Sequence, residues 1–179
     1  MTCWSWRPSS KRKTWWSCGS IYFMFARLHH FGLALRLMPG LLVNLHDRAR
    51  LTEMRAFCRA LPTALQGSLA EALQRLTPPQ PAQSATTNFT HLRDLADLSA
   101  LLERRSPLGL CLRRSLTRYY FLRRAGLPLR LHFGAKFVGG RPDRNVAGHA
   151  WLTLNNAPYF EDDENWRGFT AMLAHPASD

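Results

Sequence analysis

Residues 108–127 read "LGLCLRRSLTRYYFLRRAGL", setting Cys111 immediately ahead of a basic, helix-like run that stops at a glycine. Ser106-Pro107 just upstream is a helix-start signal, because serine caps free amides and proline pre-sets the first helical turn. The pattern predicts a helix that carries Cys111 in its first turn or so, runs through Leu112, Leu116, Tyr120 and Arg124, and ends at Gly126. Leu112, Leu116, Tyr119 and Tyr120 supply the expected buried face, and Arg113, Arg114, Arg118, Arg123 and Arg124 mostly the wet one. A thiol at a helix start meets unpaired amides and the positive end of the macrodipole, both of which favour the thiolate. The same position also suits a small buried filler, so the chemistry turns on whether a base and an acid accompany it.

Both are present downstream. "LRLHFGAKFV" from Leu129 alternates apolar and polar residues as a half-buried strand does, "GGRPDRNVAG" reads as a loop, and "HAWLTL" from His149 as a second strand. Asn155 and Asn156 suit a tight hairpin turn, since asparagine tolerates positive φ. The returning segment "APYFEDD" brings acids. Pairing Leu154 with Ala157 and counting outward sets His149 opposite Asp162, whereas a one-residue bulge would put Glu161 there. A cysteine at a helix start, a histidine on a strand and an acid on its neighbour form the order of a thiol protease. The thiolate attacks a carbonyl, the imidazole relays the proton and the carboxylate fixes the tautomer.

Upstream, the chain is less specific. Residues 1–20 hold four basic residues, four tryptophans and no acid, a basic Trp-rich arm with too little aliphatic content to pack. Residues 21–76 read as a helical N-terminal region. Its first part, 21–45, is apolar but interrupted by Arg27, His29, His30 and Arg36 and broken at Pro39-Gly40, so it offers a packing helix or one that touches a membrane surface, not a span. Leu51, Met54, Phe57, Leu61, Leu65, Leu69 and Leu73 have helical spacing, with a split expected near Pro62. Residues 77–88 are a proline-rich linker or loop, and the compact domain is expected over 89–179, opening with a helix marked by Leu92, Leu95, Leu98, Leu101 and Leu102.

The 179 residues suffice for about one domain, and the net charge of +12 attracts anionic partners without choosing among them. Cys3, Cys18, Cys58 and Cys111 are scattered, with no ligand spacing for a metal and no disulfide framework, which fits a reducing, cytoplasmic setting and no cofactor.

"CLRRSLTRYYFLRRAGLPLRLHFGAKF", with "HAWLTL" and "FEDDENWRGFTAML" after it, resembles the transglutaminase-like cysteine peptidases of lasso-peptide biosynthesis. Their pattern runs Cys-Leu-x-Arg-Ser-Leu, Leu-Arg-Arg-x-Gly, His-Ala-Trp and then an acid, and the likeness covers about residues 92–173. The resemblance implies an α+β, papain-like core with the catalytic Cys at a helix N-terminus packed on a small antiparallel sheet. It further implies that Cys111 is the nucleophile, His149 the base and Asp162 the orienting acid, with Glu161 as competitor. The implied activity is removal of the leader from a ribosomally made precursor peptide, in concert with an asparagine-synthetase-like macrolactam cyclase. Thr153 replaces the family's usual acid two residues after the tryptophan, and Asn155-Asn156 its common turn glycine. Residues 1–88 lack the strand-rich start of a winged-helix leader-recognition domain, so that role is expected of a separate protein.

Two other readings stand beside this one. A catalytically silent module of the same fold would bind a precursor or partner without cutting it. A basic nucleic-acid- or membrane-binding protein would use the N-terminal arm and Arg104, Arg105, Arg113, Arg114, Arg118, Arg123, Arg124 and Arg130; no nucleic-acid-binding motif accompanies them, so no nucleic acid is expected.

Overall fold

The computed structural model describes residues 4–5, 20–79, 87–137, 146–162 and 166–176. Most of the 1–20 arm, and residues 80–86 of the proline-rich stretch, lie outside them. Five helices, α1 (Ser20–Val43), α2 (Leu45–Ala64), α3 (Leu69–Arg75), α4 (Phe89–Leu102) and α5 (Leu110–Arg124), accompany an antiparallel sheet. Its strands are β1 (Trp4–Ser5), β2 (Leu129–Phe137), β3 (Val146–Leu154), β4 (Ala157–Pro158) and β5 (Thr170–His175). The order across the sheet is β1-β3-β2-β5, with β4 paired to β3, and the fold is α+β as expected.

The polar residues at element ends explain most boundaries. Asn44 accepts from the His46 amide at 2.9 Å and caps α2, so the break between the first two helices falls there; α1 runs on through Pro39 instead of stopping at it. Pro62 likewise sits inside α2, and the split comes after Ala64, around Gly67 with its positive φ of 89°. Asn88 caps α4 by accepting from the His91 amide at 3.0 Å. α5 closes as anticipated: Gly126 has φ 101°, and the Gly126 and Leu127 amides return to the Arg123 and Leu122 carbonyls.

β2 and β3 pair along their whole length, Leu129 with Leu154 through Phe137 with Val146, which places His149 opposite Gly134. Asn155 (φ 50°) and Asn156 (φ 63°) make the tight turn, and Leu154 pairs with Ala157 and Thr153 with Pro158. β5, unanticipated from the sequence, lies on the far side of β2.

Outward from the sheet the layers are α5, then α4 and α2, then α1. One core joins them: Met54, Leu61 and Leu73 from the N-terminal helices pack with Leu95, Leu116, Leu122, Leu129 and Leu152. The 77–88 stretch therefore does not divide the core. Thr77, at its start, is itself anchored, sharing hydrogen bonds with the Leu73 carbonyl, the Tyr119 hydroxyl and His175.

Candidate active site

Cys111 is the second residue of α5. The helix begins at Leu110, later than Ser106-Pro107 suggests, because Ser106 spends its hydroxyl on the Leu108 amide and Gly109 becomes the cap residue. With no side chain capping α5, its first amides stay open to an anion. The Leu112 amide is hydrogen-bonded to the Cys111 sulfur, as is the Ala150 amide from β3.

His149 on β3 completes the pair, its ring hydrogen-bonded to the Cys111 thiol. Ser115, one turn along α5, donates to the Ala150 carbonyl at 2.8 Å, so the helix turn bearing the cysteine is pinned to the residue after the histidine. His149 Nε2 faces Glu161 Oε1 at 3.0 Å, which leaves Nδ1 for the thiol.

The carboxylate on His149 is thus Glu161; Asp162, the expected orienting acid, is exposed. The ladder counted outward from the turn holds as far as Tyr159, whose amide reaches the Leu152 carbonyl at 2.8 Å. Phe160 then takes φ 50°, the chain leaves the pairing line, and Glu161 rather than Asp162 turns in. Phe160 acts as the one-residue irregularity that the hairpin count leaves open.

Three arginines of the supposed wet face hold this arrangement from within. Arg114 reaches both oxygens of Glu161, at 3.4 and 3.2 Å. Arg118 is buried, forks onto Asp97 of α4, and donates to the Phe160 carbonyl at 3.4 Å. Arg113, also buried, donates to the carbonyls of Leu108, Ala100 and Ser106 and so ties down the loop ahead of Cys111. Arg123 and Arg124 bind the Leu129 carbonyl and Glu53. The helix is therefore no free basic docking face. Replacing Arg118 with glutamate would bury a third carboxylate beside Asp97 and Glu161. We expect a loss of about 3–5 kcal/mol in denaturant unfolding, where a solvated arginine would lose almost nothing.

Burial pushes the Cys111 thiol up, but the hydrogen bond and charge of His149 and the two amides outweigh it and bring the thiol below its ordinary value. Burial alone would lower His149; its bonds to Cys111 and Glu161 instead raise it to about 9. Glu161, which burial would raise, is held below the usual carboxylate range by its bond to His149 and the charges of Arg114, His149 and Arg118. The three groups favour thiolate, imidazolium and carboxylate together.

Aromatic rings wall the imidazole. Trp151 stacks between His149 and His132 at interplanar angles of 14° and 12°, and Phe169 lies 5.2 Å from the His149 ring. Gly134 makes room for this: a Cβ there would sit 2.7 Å from the Trp151 ring and 2.9 Å from the Thr170 carbonyl.

Residues 46–174 match the model of the Transglutaminase-like superfamily. The chain belongs to that superfamily. Its members include cysteine peptidases. No curated protein and no solved structure matches the chain. The superfamily match starts within α2, so α2 and α3 fall in the same matched unit as the site helix. Among the described residues no group of three or more His, Cys, Asp or Glu is placed to hold a metal ion, and Cys58 and Cys111 are unpaired in disulfides. Of the residues expected at the site, Cys111 and His149 meet; sequence reasoning assigns no role to Ser115, Arg113, Arg114 and Arg118, although Arg114 and Ser115 are the Arg-Ser of the Cys-Leu-x-Arg-Ser-Leu pattern and the density of arginine on a helix with a buried face is a signal for the other two.

Proposed function

We propose that this transglutaminase-like protein is a cysteine peptidase that removes the leader from a ribosomally synthesised precursor during lasso-peptide maturation. The observation that carries the peptidase reading is the continuous chain from Cys111 through His149 to Glu161, with the sulfur on open helix-start amides. The resemblance of the Cys111, His149 and Glu161 segments to the lasso leader peptidases supplies the substrate class. The thiolate attacks the carbonyl of the scissile bond. The imidazolium gives its proton to the departing amine, and an acyl-enzyme remains for water to hydrolyse with His149 as base. First-turn amides of α5 serve the oxyanion. The partners of this reading are the precursor, a separate leader-recognition protein and an asparagine-synthetase-like cyclase, in the cytoplasm.

The silent-module reading is disfavoured by the lowered thiol and its bond to His149. The test is to incubate the protein with a leader-bearing precursor and its recognition protein, tracking leader and core by mass spectrometry across pH. Cleavage at one bond, with a bell-shaped kcat/KM, is expected. On the alkaline side activity falls near pH 9, as His149 loses the proton that the leaving amine needs. On the acid side it falls only where the thiolate is protonated, below the ordinary thiol value of about 8.5. The two limbs belong to the coupled pair. A thiol that iodoacetamide titrates at about 8.5, together with an intact precursor, would establish the silent module instead.

A further inference from the structure

Over residues 32–43, α1 is apolar on two faces and packs with only one. Leu37 is buried, and Leu33, Ala34 and Leu41 lie against the core. Leu35, Met38, Leu42 and Val43, with Leu45 at the start of α2, are large aliphatic side chains between 47% and 87% exposed. Leu35, Met38 and Leu42 recur at intervals of three and four, so they form one stripe along the outer side of α1, and Val43 and Leu45 flank it at the break before α2. α1 is the outermost helical layer, beyond α4 and α2, whereas Cys111 and His149 lie where α5 meets the sheet. A body seated on the stripe leaves the thiol and imidazole uncovered.

The charge of this part of the chain indicates the occupant. Residues 1–46 contain Arg7, Lys11, Arg12, Lys13, Arg27 and Arg36 and not one acid, which is half of the net +12. Three of the six tryptophans, Trp6, Trp15 and Trp16, fall in the same segment, besides Trp4, which pairs with Gly148 in the sheet. Arg36 is paired with Asp94 at 2.9 Å, and the other five cations have no acid in the adjoining sequence. Aliphatic side chains in a row, such a surplus of cations and interfacial aromatics are what an amphipathic element needs to lie in the headgroup region of an anionic bilayer. Each cation near such a surface adds to the attraction, and salt screens it. No helix among the described residues is long and apolar enough to cross a membrane.

We propose that the outer stripe of α1 docks the protein on an anionic lipid surface, holding the Cys111 site at the membrane without inserting a span. The test is co-sedimentation of the full chain with phosphatidylcholine vesicles and with vesicles that also contain phosphatidylglycerol, at low and raised salt. Binding to the anionic vesicles is expected, weakening as salt rises, with at least about tenfold less on phosphatidylcholine alone. Leu35→Glu/Leu42→Glu should lose about tenfold or more of that binding while keeping the circular-dichroism melt and the rate of Cys111 alkylation. Val43→Glu/Leu45→Glu, altering the most exposed pair, serves if the first variant melts early. Met172→Glu changes an equally exposed side chain on β5 and should bind as the parent does. Equal binding to both vesicle types, or binding that both α1 variants retain or Met172→Glu also loses, overturns the proposal. A concentration-dependent dimer that the α1 variants dissociate overturns it in favour of a second copy of the chain. Absence of sedimentation with either vesicle overturns it as well and assigns the stripe to some other cover.

Discussion

Cys111→Ser should fold with an unchanged melting profile and lose the proposed leader cleavage by at least about 10⁴-fold. The fold survives because the replacement nearly keeps the volume, and the new hydroxyl inherits His149 and the Ala150 amide as partners in a position only 6% exposed. The chemistry fails because everything that activates residue 111 acts on a sulfur. The open amides of α5 and the imidazole bring a thiol into reach of neutral pH, whereas a hydroxyl starts too far above it to be ionised by the same contacts. His149→Ala should cost as much, since no other proton acceptor contacts the thiol among the described residues. It should also bring the Cys111 thiol back up, because burial would then act without the bond that opposes it. Precursor cleavage read by mass spectrometry and iodoacetamide alkylation against pH check the two statements separately. Cleavage by Cys111→Ser at near the parental rate would end the cysteine-peptidase reading.

How much of this is legible in the sequence depends on what each residue obeys. The α5 helix, the β2–β3 pair and the Asn155-Asn156 turn obey local rules of period and backbone preference, and the sequence states them openly. Cys111 and His149 can be found because each sits on such an element. The arginines of α5 mislead because a helical pattern records only the side on which a residue leaves the axis. Arg113 and Arg118 read as polar positions, yet α5 is buried on both of their sides, and their length carries the guanidinium to buried carbonyls and to Asp97. β5 escapes notice because its first half is exposed on both faces and shows no alternation to read. Pro39 and Pro62 look like breaks, but each is accommodated within a helix that ends further along the chain, at a capping asparagine in one case and ahead of a positive-φ glycine in the other.

The acid of the site shows where local rules stop. Nothing in "YFEDD" says that Phe160 will adopt φ 50°; that conformation is held by tertiary contacts, its ring over Arg93 at 3.7 Å and its carbonyl accepting from Arg118. Shifting the chain by that one residue exchanges Asp162 for Glu161, and the exchange has a kinetic signature. Glu161→Gln should fold yet lose about 10⁴-fold in turnover, the size of effect seen when a triad carboxylate becomes an amide and the imidazole takes the wrong tautomer. Its pH profile should move as well. Glu161 is one of the two groups that raise His149 to about 9, so without its charge the imidazolium deprotonates earlier and the alkaline limb retreats to lower pH. Asp162→Asn, at an exposed position, should stay within a few-fold of the parent and keep the limb where it was. Arg114→Gln belongs between them: it leaves the Glu161 carboxylate in place but removes its second cation, so turnover should fall less than in Glu161→Gln. If instead Asp162→Asn gives the large loss and the displaced limb while Glu161→Gln does not, the working hairpin lacks the Phe160 irregularity and Asp162 orients His149.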